Sequence, residues 1–140
     1  MIIRRIPMNA LQKGVYSILM DKQKGDDVFP VYDDVPKDAV FPYVTIGAFT
    51  CKQIGNKSAD ISEISLQLHI WSEYSGKMEV NKVADNITAI LTSWPLDLSD
   101  DGFNVGSQDV DFFEAFPEEI QGYHGVVTFV ARVQNIGVTS

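Results

Sequence analysis

Ile61-Ser62-Glu63-Ile64-Ser65-Leu66-Gln67-Leu68-His69-Ile70-Trp71 is the stretch that decides the fold. Ile64, Leu66, Leu68 and Ile70 alternate with Glu63, Ser65, Gln67 and His69. Successive side chains of a strand point to opposite faces, so a period of two separates an aliphatic face from a polar one. The segment reads as a half-buried strand, with one face on a core and the other turned to water or a partner.

Toward the C-terminus, Ser72 to Gly76 breaks the strand and the apolar spacing changes. From about Lys77 to Trp94, residues Val80, Val83, Ala84, Ile87, Ile90, Leu91 and Trp94 form one helical stripe. Pro95 stops this helix, because it has no N–H to continue the ladder. Leu96 to Gly102 reads as an acidic turn, and a strand follows around Val105 to Phe113. Gly102 and Gly106 read as turn residues, and Pro117 to Gly122 as another loop. Gly125 to Asn135 is a last strand, with Val127, Phe129, Ala131 and Val133 on one face.

Toward the N-terminus, Cys51 to Asp60 is polar, carries Gly55 and Asn56, and reads as a loop or long hairpin tip. Tyr43 to Thr50 is rich in β-formers. Pro30, Pro36 and Pro42 forbid a helix before it, so Val28 to Val40 reads as loop and short extended pieces. A first helix opens near Asn9, with Gln12 at capping-box spacing and Leu11, Val15, Ile18 and Leu19 as its buried stripe. The polar run Asp21 to Asp27 ends it. The order is helix, strand, strand, helix, strand, strand. That predicts an α+β fold, an antiparallel sheet with two helices packed on one face. The 140 residues suit a single domain spanning 1–140.

Lys and Arg number 11 against 19 Asp and Glu, a formal charge of −8. An acidic chain lacks the footprint needed to neutralise nucleic-acid phosphates or to sit on an anionic membrane. No stretch approaches the ~20 apolar residues of a membrane span. The basic N-terminus has no apolar run after it, so it does not read as a signal peptide. The single cysteine, Cys51, has no partner for an internal disulfide.

Catalytic signatures are weak. Cys51 with His69 or His124 could form a thiol–imidazole pair, yet no nucleophile motif surrounds the cysteine. Both histidines read as ordinary surface or edge residues. Asp97 to Gly102 places oxygens at positions 1, 3 and 5 of a calcium loop and glycine at 6. The twelfth position is Gln108, not the bidentate glutamate, so a solvated turn is the better reading. Asp109, Asp111, Glu114, Glu118 and Glu119 read as an exposed acidic face. Catalytic residues, cofactors and metals are therefore expected to be absent. Phe112 and Phe113 are adjacent on a strand, so they face opposite ways, and one is a candidate contact for another subunit.

Four ordered segments carry a resemblance: Val31-Tyr32-Asp33-Asp34-Val35-Pro36; Phe41-Pro42-Tyr43-Val44-Thr45-Ile46-Gly47; His69-Ile70-Trp71-Ser72 with Gly76 and Glu79-Val80; and His124-Gly125-Val126-Val127. Together, over about residues 9 to 135, they resemble the siphophage tail-completion or tail-terminator family. The resemblance implies a non-enzymatic structural subunit that forms a ring, commonly a hexamer. Such a ring would stop growth of the tail tube and join it to the head connector. The implied partners are other copies of the chain, the major tail tube protein and the head–tail connector protein. DNA would pass through without specific binding, and no membrane is involved. Assembly would occur in the host cytoplasm, with the finished protein in the virion tail. Lys52, Gln53, Ile54 and Lys57, in the polar 51–60 segment, are the candidate tube contacts, because function concentrates in long loops. The rival readings are another neck or head-completion subunit, a small enzyme built on Cys51, His69 or His124, and a host binding module.

Overall fold

The computed structural model describes residues 3–23 and 28–137. Helix α1 covers Met8–Lys22, followed by the short strand β1 (Val31–Tyr32) and the long strands β2 (Tyr43–Gln53) and β3 (Asp60–Ser72). Helix α2 (Met78–Ser93), a 3-10 turn at Ser99–Asp101, β4 (Phe103–Pro117) and β5 (Tyr123–Asn135) complete the chain. The sheet order is β1-β2-β3-β5-β4.

Two antiparallel hairpins, β2–β3 and β4–β5, join through an antiparallel β3–β5 pairing that runs without a break from Asp60↔Asn135 to Ser72↔Tyr123. The predicted alternation in β3 is realised: Ile64, Leu66, Leu68 and Ile70 are fully buried. Val127, Phe129, Ala131 and Val133 of β5 share that buried face. Leu11, Val15 and Leu19 of α1 and Val80, Val83, Ile87 and Leu91 of α2 belong to the same core cluster. Both helices therefore cover one face of the sheet, and the α+β class stands.

The expected all-antiparallel sheet and the expected element order need correcting. β1 lies between α1 and β2 and pairs parallel to β2, through Val31↔Val44 and Tyr32↔Thr45. The prolines hide it: Pro30 lacks an N–H, yet its carbonyl accepts from Val44 N at 2.9 Å, so two residues suffice to add a strand at the sheet edge. β4 also runs four residues beyond Phe113, to Pro117, as the edge strand. Gly106 is not a turn residue but lies at a β-bulge between Val105 and Ser107; Gly102, with φ 79°, does cap the 3-10 turn.

Local signals differ in smaller ways. α1 starts at Met8 after Pro7, with no side-chain cap, so the Asn9–Gln12 capping box does not form. Residues 24–27 of the predicted helix-ending run lie outside the described residues. Trp94 is not part of the buried stripe: it follows the last turn of α2, is 43% exposed, and packs under Lys22 Nζ at 4.1 Å from its ring centroid. Gln108 does what sequence could not suggest. Its Nε2 donates to Leu91 O and Trp94 O at 2.8 Å, and its Oε1 accepts from Leu96 N at 2.9 Å. A β4 side chain thus satisfies backbone groups at the end of α2 that the helix itself leaves open.

The β4–β5 turn depends on Gly122. Its φ is 87°, and a Cβ there would collide with the Ser72 carbonyl. Gly122→Ala combines left-handed strain with a backbone clash. It is expected to lower stability by about 2–4 kcal/mol, read as a drop in the denaturation midpoint with an unchanged slope.

Candidate functional site

With both helices on one face, no described helix covers the other, the bare face of the sheet. Its residues follow from the register. β3 contributes Glu63, Ser65, Gln67, His69 and Trp71, and β5 contributes His124, Val126, Thr128, Val130 and Arg132. From β4 come Asp109, Phe112, Glu114 and Phe116, opposite Val130, Thr128, Val126 and His124 respectively. Thr45, Thr50 and Lys52 come from β2, opposite His69, Ser65 and Glu63.

The two ends of this face differ. Near the β2–β3 hairpin, a shallow depression of about 560 Å³ is lined by charged and hydroxylated side chains, among them Lys52, Glu63, Asp109 and Arg132. Arg132 Nη2 pairs with Glu63 Oε2 at 3.3 Å across the strands. Both groups are largely exposed, so the pair adds little stability. Among the described residues, no basic side chain lies within 4.0 Å of the Asp109, Asp111 or Glu114 carboxylates.

The other end is aromatic. Trp71 stacks on His124 with ring centroids 3.9 Å apart, and Phe116 closes on His124 at 4.8 Å. Trp71 Nε1 donates to Thr45 Oγ1 at 3.0 Å. His69 Nδ1 lies 2.7 Å from His124 Nε2, and His124 Nδ1 lies 3.0 Å from Glu118 Oε1. The contacts assign the protons. An ionised carboxylate only accepts, so His124 Nδ1 carries hydrogen and donates to Glu118. His124 Nε2 in the neutral ring is then an acceptor, and His69 Nδ1 donates to it. Gly47 makes room: a Cβ there would overlap the His69 ring. Burial lowers the pKa of His69, and the His124 charge lowers it further. Burial also lowers that of His124, outweighing the Glu118 carboxylate that pulls the other way.

The suspected thiol–imidazole pair does not assemble. Cys51 is exposed and pairs with Ile64, on the helix side of the sheet, whereas both histidines lie on the bare side. The Asp97 carboxylate accepts from Ser99 N and Oγ, which holds its pKa low, and Gln108 is engaged by α2. Among the described residues, no group of three or more His, Cys, Asp or Glu is placed to hold a metal.

The candidate interface residues scatter. Lys52 and Gln53 belong to β2 rather than to a loop. Lys52 is exposed, but Gln53 is half-buried and donates to Asp60 Oδ1 at 3.1 Å. Ile54 and Lys57 are exposed at the hairpin tip. Phe112, 54% exposed, lies on the bare face; Phe113, 39% exposed, faces the helix side beside Gly125. A bulge between Val110 and Phe112 sets their direction. Sequence reasoning took His69 and His124 as unrelated surface residues. Only the strand register, which puts His124 beside Trp71 and one pleat from His69, brings them together.

These features define an α+β domain with both helices on one face of its sheet and the other face open to contact. The family described as tail completion protein gp17 matches residues 13–134, and the chain belongs to it. It is thus a structural protein of the phage tail-completion class. Among solved structures, a chain of the "Virion of native gene transfer agent (GTA) particle" superposes with a TM-score of 0.78 at 21% identity. The match covers 91% of this chain and 96% of that one. At that identity the likeness speaks for the fold. No curated protein matches the sequence. No helix among the described residues is long and apolar enough to cross a membrane.

Proposed function

We propose that this chain, acting as one domain, terminates the tail tube: copies close into a ring at the tube end, stop its growth and join the tail to the head connector. The observation that carries this reading is the bare face of a sheet whose other face carries both helices and the core. Heterologous contacts between such surfaces give a closed ring of fixed subunit number with no free edge. Six is the number the family resemblance implies. Six copies carry six times −8, or −48. Such a ring would repel phosphates, letting DNA pass without sticking. Assembly takes place in the host cytoplasm and the product resides in the virion tail. Lys52, Gln53, Ile54 and Lys57 are assigned to the tube contact, and Phe112 and Phe113 to contacts between copies.

Native mass spectrometry with electron microscopy tests the ring. The expected result is a closed ring of one stoichiometry that binds purified tail tubes. A lone subunit at high concentration that ignores tubes would refute it. Phe112→Asp places a charge on an exposed site outside the core. It is expected to reduce ring formation at least about tenfold, the scale of a 1.4 kcal/mol loss, while the circular dichroism spectrum and thermal midpoint stay near those of the parent.

A further inference from the structure

We propose that His69, His124 and Glu118 form a proton-operated latch on the β4–β5 turn. The latch is closed while the imidazoles share hydrogens and opens when both are protonated. It belongs to the single chain, so it stands whether or not copies form a ring.

The turn 118–122 is closed by Glu118 N donating to Gly122 O at 2.9 Å and is tied to the end of β3 by Gln121 Nε2 on Glu73 O at 3.3 Å. Its third tie is the Glu118 carboxylate on His124. At the tip, Ile120 is 98% exposed, an apolar side chain displayed by a fixed turn beside a bare sheet face.

Proton counting gives the switch. The neutral pair runs His69 Nδ1–H to His124 Nε2 and His124 Nδ1–H to Glu118. One added proton leaves the chain intact. It can reside on His69 Nε2, or on His124 Nε2 with His69 as the Nε2–H tautomer, which puts an imidazolium against the Glu118 carboxylate. A second proton makes both rings cations and leaves an N–H on each side of a 2.7 Å gap. The hydrogen bond then becomes a repulsion, and the rings must part. His124 is held between Trp71 and Phe116, so its displacement moves the aromatic cluster and the carboxylate bound to it. The other titratable groups near the pair are Glu114 of β4, opposite Val126 on the bare face, and Tyr43 of β2, opposite Trp71. Glu114 and Glu118 favour the first proton. Neither removes the repulsion between two charged rings in contact. Burial disfavours charge on both rings, which places the opening step on the acid side of an ordinary histidine.

The experiment is an NMR titration of the intact chain from about pH 8 to about pH 4, following the imidazole carbons and the amide exchange of residues 118–122. The expected result is two coupled steps, the lower one below the usual imidazole value of about 6.5, with the turn protection factors (exchange referred to the intrinsic rate at each pH) falling roughly tenfold across that step. In His69→Asn the side-chain amide, at the position of the imidazole Nδ1, still donates to His124 Nε2 without titrating. A single step is expected there, and the turn stays protected in acid. In Glu118→Ala, which removes the acceptor, the imidazole steps persist, but the turn amides show low protection factors at every pH. Two independent steps near 6.5 in the parent would overturn the latch. So would an acid-induced loss of turn protection that survives unchanged in either variant. The parent titration and Glu118→Ala decide the matter if His69→Asn fails to fold.

Discussion

Phe129→Ala is expected to produce the largest loss of stability of any single truncation on the sheet, about 3–5 kcal/mol. Phe129 is the largest fully buried side chain. It sits on β5 between Leu66 of β3 and Val110 of β4, on the helix-covered face. The substitution removes apolar area from the one cluster that joins the sheet to α1 and α2. The cavity left cannot collapse easily, because the neighbouring strands are fixed by ladders on both sides. For a domain whose total stability is roughly 5–15 kcal/mol, that loss is a large fraction. The melting midpoint should fall by on the order of 10 °C. Phe129→Leu keeps most of the volume and should lose much less. Calorimetry of the two variants checks the argument: equal losses would mean that volume at this site does not govern the core.

The parts of the fold that were legible are those governed by periodicity. The alternation in 64–70 gave β3 its face, and the stripe from Val80 to Leu91 placed α2 on it. Such patterns are local, and burial follows them directly. The parts that were not legible depend on pairing between distant segments. β1 is two residues long and exists because the backbone of Pro30 and Val31 meets that of Val44. Lys52 and Gln53 looked like loop residues, but pairing with Glu63 and Ser62 extends β2 through them. The bare face was half visible, since the polar residues of β3 announced it. Its histidine pair was not, because His69 and His124 are 55 residues apart and meet only through register. Trp94 looked like core because its position fitted the stripe, yet the helix ends before it.

Asp60→Ala is the second large effect, and it concerns groups that no periodic pattern marks. Asp60 opens β3, is only 3% exposed, and accepts three hydrogen bonds. They come from Arg5 N at 2.8 Å, Asn135 Nδ2 at 3.0 Å and Gln53 Nε2 at 3.1 Å. Asn135 Oδ1 in turn accepts from Arg5 Nε at 3.0 Å and Nη2 at 2.7 Å. The Arg5 guanidinium also donates to the carbonyls of Asp101 and Gly102 and lies 4.2 Å from the Phe103 ring centroid. One carboxylate thus joins the segment before α1 to the ends of β2, β3 and β5, and Arg5 carries the tie on to the start of β4. Its truncation takes the acceptor from the part-buried Arg5 N and Gln53 Nε2 and leaves Asn135 Nδ2 with Ile3 O alone, at a cost of about 2–4 kcal/mol. The Arg4 side chain, at 3.9 Å and mostly exposed, cannot compensate. Burial alone would raise the Asp60 pKa, but the hydrogen bonds from Arg5, Asn135 and Gln53 and the Arg4 charge outweigh it and hold it low. A carboxylate with a depressed folded-state pKa contributes stability above its unfolded value, near 3.8, that is lost as pH falls through the folded one. Denaturant titrations of parent and Asp60→Ala at neutral pH and in acid should therefore converge as the pH drops below that range. A gap that stays constant into strong acid would mean that the carboxylate charge is not what holds the N-terminal segment in place.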